Sequence, residues 1–475
     1  MPFNSLSFIF FFIFFAAAYF LINNKNKQFL LIAGSWFFYS YNSLFNLIHL
    51  LLTTSITYFF AKKIKERVNS QAYLFVGILL IVLQLLFAKY GTSLFPLSIA
   101  TQDSFWNSII LPIGISFYSL QAISFLADVN SKKYDSDLSL KDVSLFLSFF
   151  PQSISGPIHR ASELLPQFIF NNKIQINNIV IGLKTMLWGY FCKLIIADKI
   201  SMITSPIFGT YLEQDGLSLL IASLLFSFQI YFDFWGYSSI AIGVGKILGF
   251  NININFNAPY SARSFKEFWH RWHITLSKWM RDYIYIPLGG NTNRKNLLHF
   301  CLTILITFLI SGFWHGITLT FIFWAIAHAF LYLSETFIGK FSSKFFKNSR
   351  GVFMIRMLSI FKPALIFILI SFTWLIFRSE DVKEFVTIIK KIGSVSDWSV
   401  PNAYTNYFIR ANIIYITIIF CSIVIYRKSF LWKQIEYTPN TRREIIVETI
   451  FVSFCTSFIF LLGDLGGREF LYFRF

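Results

Sequence analysis

Long apolar runs separated by short basic stretches constrain this chain more than any other feature. A hydrocarbon core about 30 Å thick is crossed by about 20 apolar residues in an α-helix. Runs of this kind recur at residues 5–22, 29–41, 44–61, 73–90 and 109–129, then at 143–155, 179–197, 217–250, 297–310 and 318–337. Three more lie at 364–377, 413–426 and 445–462. A barrel would show short alternating segments instead of continuous runs. The expected fold class is therefore all-α, a polytopic integral membrane protein.

Composition agrees. Hydrophobic residues make up 55% of the 475 and charged residues 13%, against about 25% charged in soluble domains. The net charge of +18 invites a nucleic-acid partner. The placement of the cations excludes that reading: they cluster between apolar runs, as at 62–67 and 340–350, which is how cytoplasmic loops are marked. The run near the N-terminus has no preceding Lys or Arg and reads as a retained helix, not a cleaved signal. Cys192, Cys301, Cys421 and Cys455 are widely spaced and read as buried single thiols. No internal repeat points to an inverted-repeat transporter.

The centre of the chain differs from its ends. Residues 109–337 hold six of the seven histidines and most of the Pro-Gly breaks. The run at 143–155 leads into Pro151-Gln152-Ser153-Ile154-Ser155-Gly156-Pro157, too broken for a simple crossing, and reads as re-entrant or interfacial. Farther on, Trp269-His270-Arg271-Trp272-His273 opens an amphipathic stretch that also carries Lys278, Arg281 and Asp282. His270 and His273, three apart, are expected to share one helical face. Trp314-His315-Gly316 lies between two apolar runs. Its small neighbours Gly312 and Gly316 are expected to leave room for a substrate.

Ionisable side chains at membrane depth are costly and tend to be functional, and imidazole titrates nearest neutrality, which suits it to proton transfer. His315 and His273 are the candidate catalytic residues. His328, in an apolar helix, reads as a packing residue. Asp233 interrupts another apolar run and is expected to face a cavity or to pair with a cation, the interfacial Arg residues being the candidates. A zinc site built from His270, His273 and His315 is disfavoured by the cationic Arg271 beside His270. A serine nucleophile has no G-x-S-x-G elbow to support it.

In order along the chain, these motifs resemble one family. They are Leu111-Pro112-Ile113-Gly114 with Gln121-Ala122-Ile123-Ser124, Phe150-Pro151-Gln152, Gly156-Pro157-Ile158-His159-Arg160, Asp233-Phe234-Trp235-Gly236-Tyr237-Ser238, Phe268-Trp269-His270-Arg271-Trp272-His273, Tyr285-Ile286-Pro287-Leu288-Gly289-Gly290-Asn291, Trp314-His315-Gly316, Thr373-Trp374 and Leu471-Tyr472-Phe473-Arg474-Phe475. The chain resembles the membrane-bound O-acyltransferase superfamily, in its bacterial alginate O-acetyltransferase branch. Teichoic-acid D-alanyl transferases share the histidine motifs. His159 stands where the branch commonly has an apolar residue.

The resemblance implies one membrane-embedded domain, 1–475: peripheral helices at 1–108, a catalytic centre at 109–337 around a tunnel with re-entrant segments, and C-terminal helices at 338–475. It implies that His315 is the general base on an acceptor hydroxyl and that His273 stabilises the developing oxyanion. His270, Arg271, Trp314 and Asp233 would bind substrate or shape the tunnel. The donor would be acetyl-CoA or another acyl donor, with no bound cofactor and no metal. The setting would be the bacterial cytoplasmic (inner) membrane. The acceptor would be an extracytoplasmic polysaccharide, alginate-like or peptidoglycan, reached with a periplasmic or secreted SGNH-type acetyltransferase partner. The competing readings are D-alanyl transfer to an envelope polymer, a histidine-relay transporter, and an idle scaffold for polysaccharide assembly.

Overall fold

The computed structural model describes residues 1–66, 69–94, 112, 114–153, 156–169, 175–290, 296–345, 349–398, 441–464, 470 and 471. Among them there are helices, turns and extended segments but no strand. The apolar run at 413–426, the start of the run at 109–129, Asn291 and the last four residues lie outside the described residues.

In chain order the helices are α1 (Leu6–Leu21), α2 (Asn24–Ser40), α3 (Leu44–Lys65), α4 (Ser70–Leu94), α5 (Ile115–Asn130), α6 (Leu140–Ser148), α7 (Phe150–Ser153), α8 (Ala161–Leu164) and α9 (Ile176–Tyr190). A π-helical segment, Phe191–Ala197, joins α9 to α10 (Asp198–Gly209). Then come α11 (Gly216–Ile247), α12 (Phe265–Arg271), α13 (Ile274–Met280), α14 (Leu297–His315), α15 (Leu319–Phe345), α16 (Ser349–Arg378), α17 (Val382–Gly393) and α18 (Arg442–Leu462). Among the described residues eight segments are long and apolar enough to cross a bilayer, including Ile176–Gly209, Gly216–Ile247 and Leu297–His315. The protein is an all-helical, multi-pass membrane protein. As the Pro-Gly-rich sequence led us to expect, the run at 143–155 is no simple crossing: it splits at Phe149 into α6 and α7, each far below the roughly 20 residues a span needs.

Contacts divide the chain into two compact units. The first comprises residues 1–186 and 238–253. Its core is aromatic: Phe150 meets Phe15 at 5.3 Å and Phe38 at 5.4 Å between ring centroids. His159 works here as a fastener. The Asn253 N–H donates to its Nε2 at 3.0 Å, which leaves Nδ1 to carry the proton and donate to the Pro157 carbonyl at 3.0 Å. Both ring nitrogens are spent on backbone. Burial holds this imidazole below its usual pKa, which keeps it neutral.

The second unit comprises residues 187–237 and 254–475 and contains every candidate site residue. Within it α14 and α15 form an antiparallel hairpin joined by residues 316–318. A Cβ on Gly312 would stand 2.7 Å from the Phe321 carbonyl oxygen and 2.9 Å from the Ala325 Cβ. One on Gly316 would stand 2.3 Å from the Phe321 ring. The expectation that these glycines leave space for a substrate is corrected: α15 fills that space, and their smallness serves close helix packing.

Candidate active site

The stretch carrying His270 and His273 is built from a broken helix. Ser264 caps α12, its hydroxyl accepting from the Glu267 N–H at 2.9 Å. The Glu335 carboxylate of α15 accepts from the Phe265 N–H at 2.9 Å and the Lys266 N–H at 3.3 Å, an anion where the helix dipole favours one. Arg271 pairs with Glu267 at 2.8 Å, one turn back, and donates to the Asn257 carbonyl at 3.1 Å. Its guanidinium braces the helix end against the preceding strap.

At Trp272 the backbone turns extended, and at His273 it enters the left-handed region with φ 41° and ψ 55°. That region is uncommon for a residue with a Cβ. The strap at 254–257 holds it: the Asn257 N–H donates to the Arg271 carbonyl at 3.0 Å and the Ile274 N–H to the Asn255 carbonyl at 2.9 Å. The Asn255 side chain also accepts from the Thr275 hydroxyl at 2.6 Å. The two histidines therefore do not share a helical face, and the expectation from their spacing is corrected. His270 is exposed, whereas His273 is 1% exposed. Burial pushes the His273 imidazole down to about 3, so it is neutral at physiological pH and keeps one N–H to donate.

His315 is the last residue of α14 and is 5% exposed. Rings surround it: Trp314 at 4.7 Å, Phe377 at 5.0 Å, Trp324 at 5.3 Å and Phe321 at 6.2 Å between centroids. The Trp314 ring also meets His273 at 6.4 Å. Trp314 thus contacts both candidate catalytic histidines, which lie forty-two positions apart in sequence. His328 is enclosed by Trp324 at 4.8 Å, Trp269 at 5.0 Å and Phe308 at 5.9 Å, a packing role as read from the sequence.

Asp233 forms the buried ion pair expected of it, but with a different cation. Its Oδ1 pairs with Lys193 at 2.7 Å, and its Oδ2 accepts from the Leu471 N–H at 2.8 Å. Lys193 also reaches Asp198 at 2.8 Å. The partner is a lysine on the π-helical turn, not an interfacial arginine, and the carboxylate is occupied in holding α11 to that turn and to the C-terminal segment. Sequence reasoning passed over Lys193, although a lysine inside the apolar run at 179–197 was the available signal.

A cavity of about 380 Å³ lies against this region, lined by Trp269, His270, Ser277 and Arg281 on one side and by Phe308 and Ser311 of α14 on another. Ser311 stands one helical turn before His315. Of the candidate site residues only His270 is among its walls; His273, His315, Arg271, Asp233 and Trp314 are not. Its His270 is held below the usual imidazole pKa by burial and then by the neighbouring charges of Lys266 and Arg281.

Residues 5–378 match the membrane-bound O-acyltransferase family. Among curated proteins, the chain is 33% identical over 395 residues to a peptidoglycan O-acetyltransferase of Helicobacter pylori, covering 76% of this chain and 72% of that one. It is 34% identical over 302 residues to a probable alginate O-acetylase of Pseudomonas aeruginosa, 63% of this chain and 55% of the relative's length. A teichoic acid D-alanyltransferase of Streptococcus thermophilus matches at 29% identity over 250 residues, 49% of this chain and 59% of that one. The family match over residues 5–378, together with the 33% identity to the peptidoglycan O-acetyltransferase across 72% of that relative, on a multi-pass helical chain, identifies this protein as a member of the membrane-bound O-acyltransferase family.

Proposed function

We propose that this enzyme transfers acetyl groups from a cytosolic thioester, acetyl-CoA, toward hydroxyls of an extracytoplasmic polysaccharide, alginate-like or peptidoglycan, in the bacterial inner membrane. His315 Nδ1 or Nε2 takes the proton of the attacking hydroxyl. The oxygen forms a C–O bond to the thioester carbonyl carbon, the C–S bond breaks, and the departing thiolate receives the proton back from the imidazolium. Such proton transfer contributes about 10²–10⁴-fold. His273, neutral and with an N–H to give, stabilises the carbonyl oxygen as it gains charge, a role worth about 10²–10³-fold for one donor. Trp314 sets the spacing of the two rings, and His270 borders the donor's cavity. Arg271 and Asp233 act on this reading through the frame, each held in an ion pair. A periplasmic or secreted SGNH-type transferase receives the acetyl group where the acceptor lies beyond the membrane.

The single observation that carries this reading is the convergence of His273 and His315 on Trp314. A second reading, D-alanyl transfer to an envelope polymer, is favoured by the similarity to the teichoic-acid enzyme. Deleting the gene in its native cell and quantifying acetyl and D-alanyl esters in each purified envelope polymer separates the two. The proposal expects one polymer to lose acetyl esters and to regain them on complementation. Loss of D-alanyl esters alone would replace it with the second reading, and unchanged esters of both kinds in every fraction would refute both.

A further inference from the structure

An exposed apolar stripe runs along α16. Phe361, Leu365, Ile368 and Phe372 recur at spacings of three and four and are all exposed, so they share one face of a helix long and apolar enough to cross the bilayer. That face meets lipid. The stripe continues past the end of the span. The Phe372 ring meets Phe385 of α17 edge to face at 5.5 Å, and beside Phe385 the Val386 side chain is exposed. Just beyond α17, Val395 and Trp398 are exposed as well.

α17 has three faces. Glu384 and Ile388, one turn apart, are buried, and this side is fastened to the protein. Glu384 pairs with Arg378 at 2.9 Å and accepts from the Glu380 N–H at 2.8 Å. Lys391 donates to the Leu212 and Gln214 carbonyls at 2.6 and 2.8 Å. Val382, Phe385, Val386 and Ile389 form the apolar face, the one that prolongs the stripe of α16. Lys383 and Lys390 form the third. Both are exposed, and neither has an ion pair among the described residues. Seven positions apart, they stand on one side of the helix about 10 Å from each other along its axis. The placement of these cations needs a cause. The basic interval at 340–350 marks the cytoplasmic end of α16, and the span Phe361–Arg378 carries the chain to the opposite face. Only residues 379–381 separate that span from α17. α17 therefore lies at the extracytoplasmic edge of the hydrocarbon, where the positive-inside bias does not supply lysines.

We infer that α17 lies in the outer headgroup layer and binds an anionic glycerophospholipid, its phosphate held by Lys383 and Lys390 and its acyl chains against Val382, Phe385 and Val386. A helix with an apolar face, lysines on its polar flank and a tryptophan close by is suited to the interface plane. The unbroken passage from the lipid-facing stripe of α16 to the apolar face of α17 puts bilayer, not a protein partner, beside the two lysines. The acids nearest them in sequence are occupied: Glu384 by Arg378, and Asp381 in capping the helix, where it accepts from the Glu384 N–H at 2.7 Å. The ammonium groups are thus left for an external anion. None of these residues belongs to the candidate catalytic set, so the inference stands apart from the acyl-transfer reading.

The test titrates phosphatidylglycerol against phosphatidylcholine into the purified full-length protein in detergent and reads the lipid retained per protein by native mass spectrometry. The native protein is expected to prefer phosphatidylglycerol, and Lys383→Gln/Lys390→Gln to lose about thirtyfold of that preference, two lysines acting together near an anionic headgroup. Lys383→Arg/Lys390→Arg should keep it, which separates charge from folding. A second arm places the helix: a bimane on Val386→Cys, corrected for label on the unsubstituted protein, should be quenched by phosphatidylglycerol brominated in its acyl chains. The inference is overturned if the glutamine variant retains phosphatidylglycerol as the native protein does, or if the native protein shows no preference between the two lipids. Displacement of phosphatidylglycerol by equimolar inorganic phosphate would also overturn it, marking a soluble-anion site. So would an unquenched bimane in a folded protein, which would leave this face to a protein or polymer partner.

Discussion

Replacing Lys193 by methionine would strand the Asp233 carboxylate in the protein interior. The two side chains are 1% and 4% exposed and 2.7 Å apart. Methionine keeps most of the lysine stem's volume, so the change removes charge with little loss of packing. Removing one partner of a buried pair costs about 3–5 kcal/mol, because the remaining ion is uncompensated. Asp233 would retain only the Leu471 N–H among the contacts described above, and Asp198, at 14% exposure, is better placed to hydrate. Adding Asp233→Asn should recover most of the loss, since the carboxamide oxygen still accepts from Leu471, leaving a deficit of about 1 kcal/mol for the exchanged hydrogen bonds. The assay is denaturant unfolding in one detergent at fixed pH, with acetyl transfer measured at a temperature where all three proteins are folded. A Lys193→Met protein as stable as the native one, or a double variant no better than the single, would refute the structural assignment of Asp233. Loss of transfer by the folded double variant would point to a direct role in the chemistry.

Three further outcomes follow from the geometry. Gly312→Ala drives a Cβ against the Phe321 carbonyl at 2.7 Å, and overpacking at a backbone contact should cost about 1–3 kcal/mol, read as a lower unfolding midpoint. His159→Gln keeps both hydrogen bonds in kind, so it should match the native midpoint at neutral pH. The native imidazole's pKa is depressed on folding, so its contribution is present above the unfolded value of about 6.5 and is lost as pH falls toward the folded value; melting between neutral and mildly acidic pH should show a shallower decline in the glutamine variant. His273→Ala should lower kcat about 10²–10³-fold, and His273→Asn should retain more, because asparagine offers an N–H and tolerates the left-handed backbone at φ 41°; equal rates for the two variants would argue against a donor role.

The spans were legible because hydrophobic length is a local property. Leu44–Lys65 and Leu297–His315 overlap the runs expected from the sequence, with ends shifted by four or five residues. The helix break at Trp272 was not legible. Nothing between Phe265 and Met280 forbids one continuous helix, and the cause lies in Asn255 and Asn257, which hold the 271–274 backbone by hydrogen bonds from a distant strap. The small residues around His315 were visible, but whether a missing Cβ faces a ligand or a neighbouring helix depends on α15, which the motif does not encode. Lys193 was hidden for the opposite reason: it sits in a run long enough to be read as apolar throughout. The Trp314 link between His273 and His315 needed the fold, because it joins the end of α14 to the turn before α13.

The most direct test of the central claim is acetyl transfer by His315→Ala in the native cell, scored as acetyl ester on the purified acceptor polymer, with membrane abundance of the variant matched to the native protein. A general base worth about 10²–10⁴-fold predicts that esters fall to the level of the gene deletion. Acetylation at the native level, with the variant present in the membrane, would contradict the assignment of His315 as the group that takes the proton.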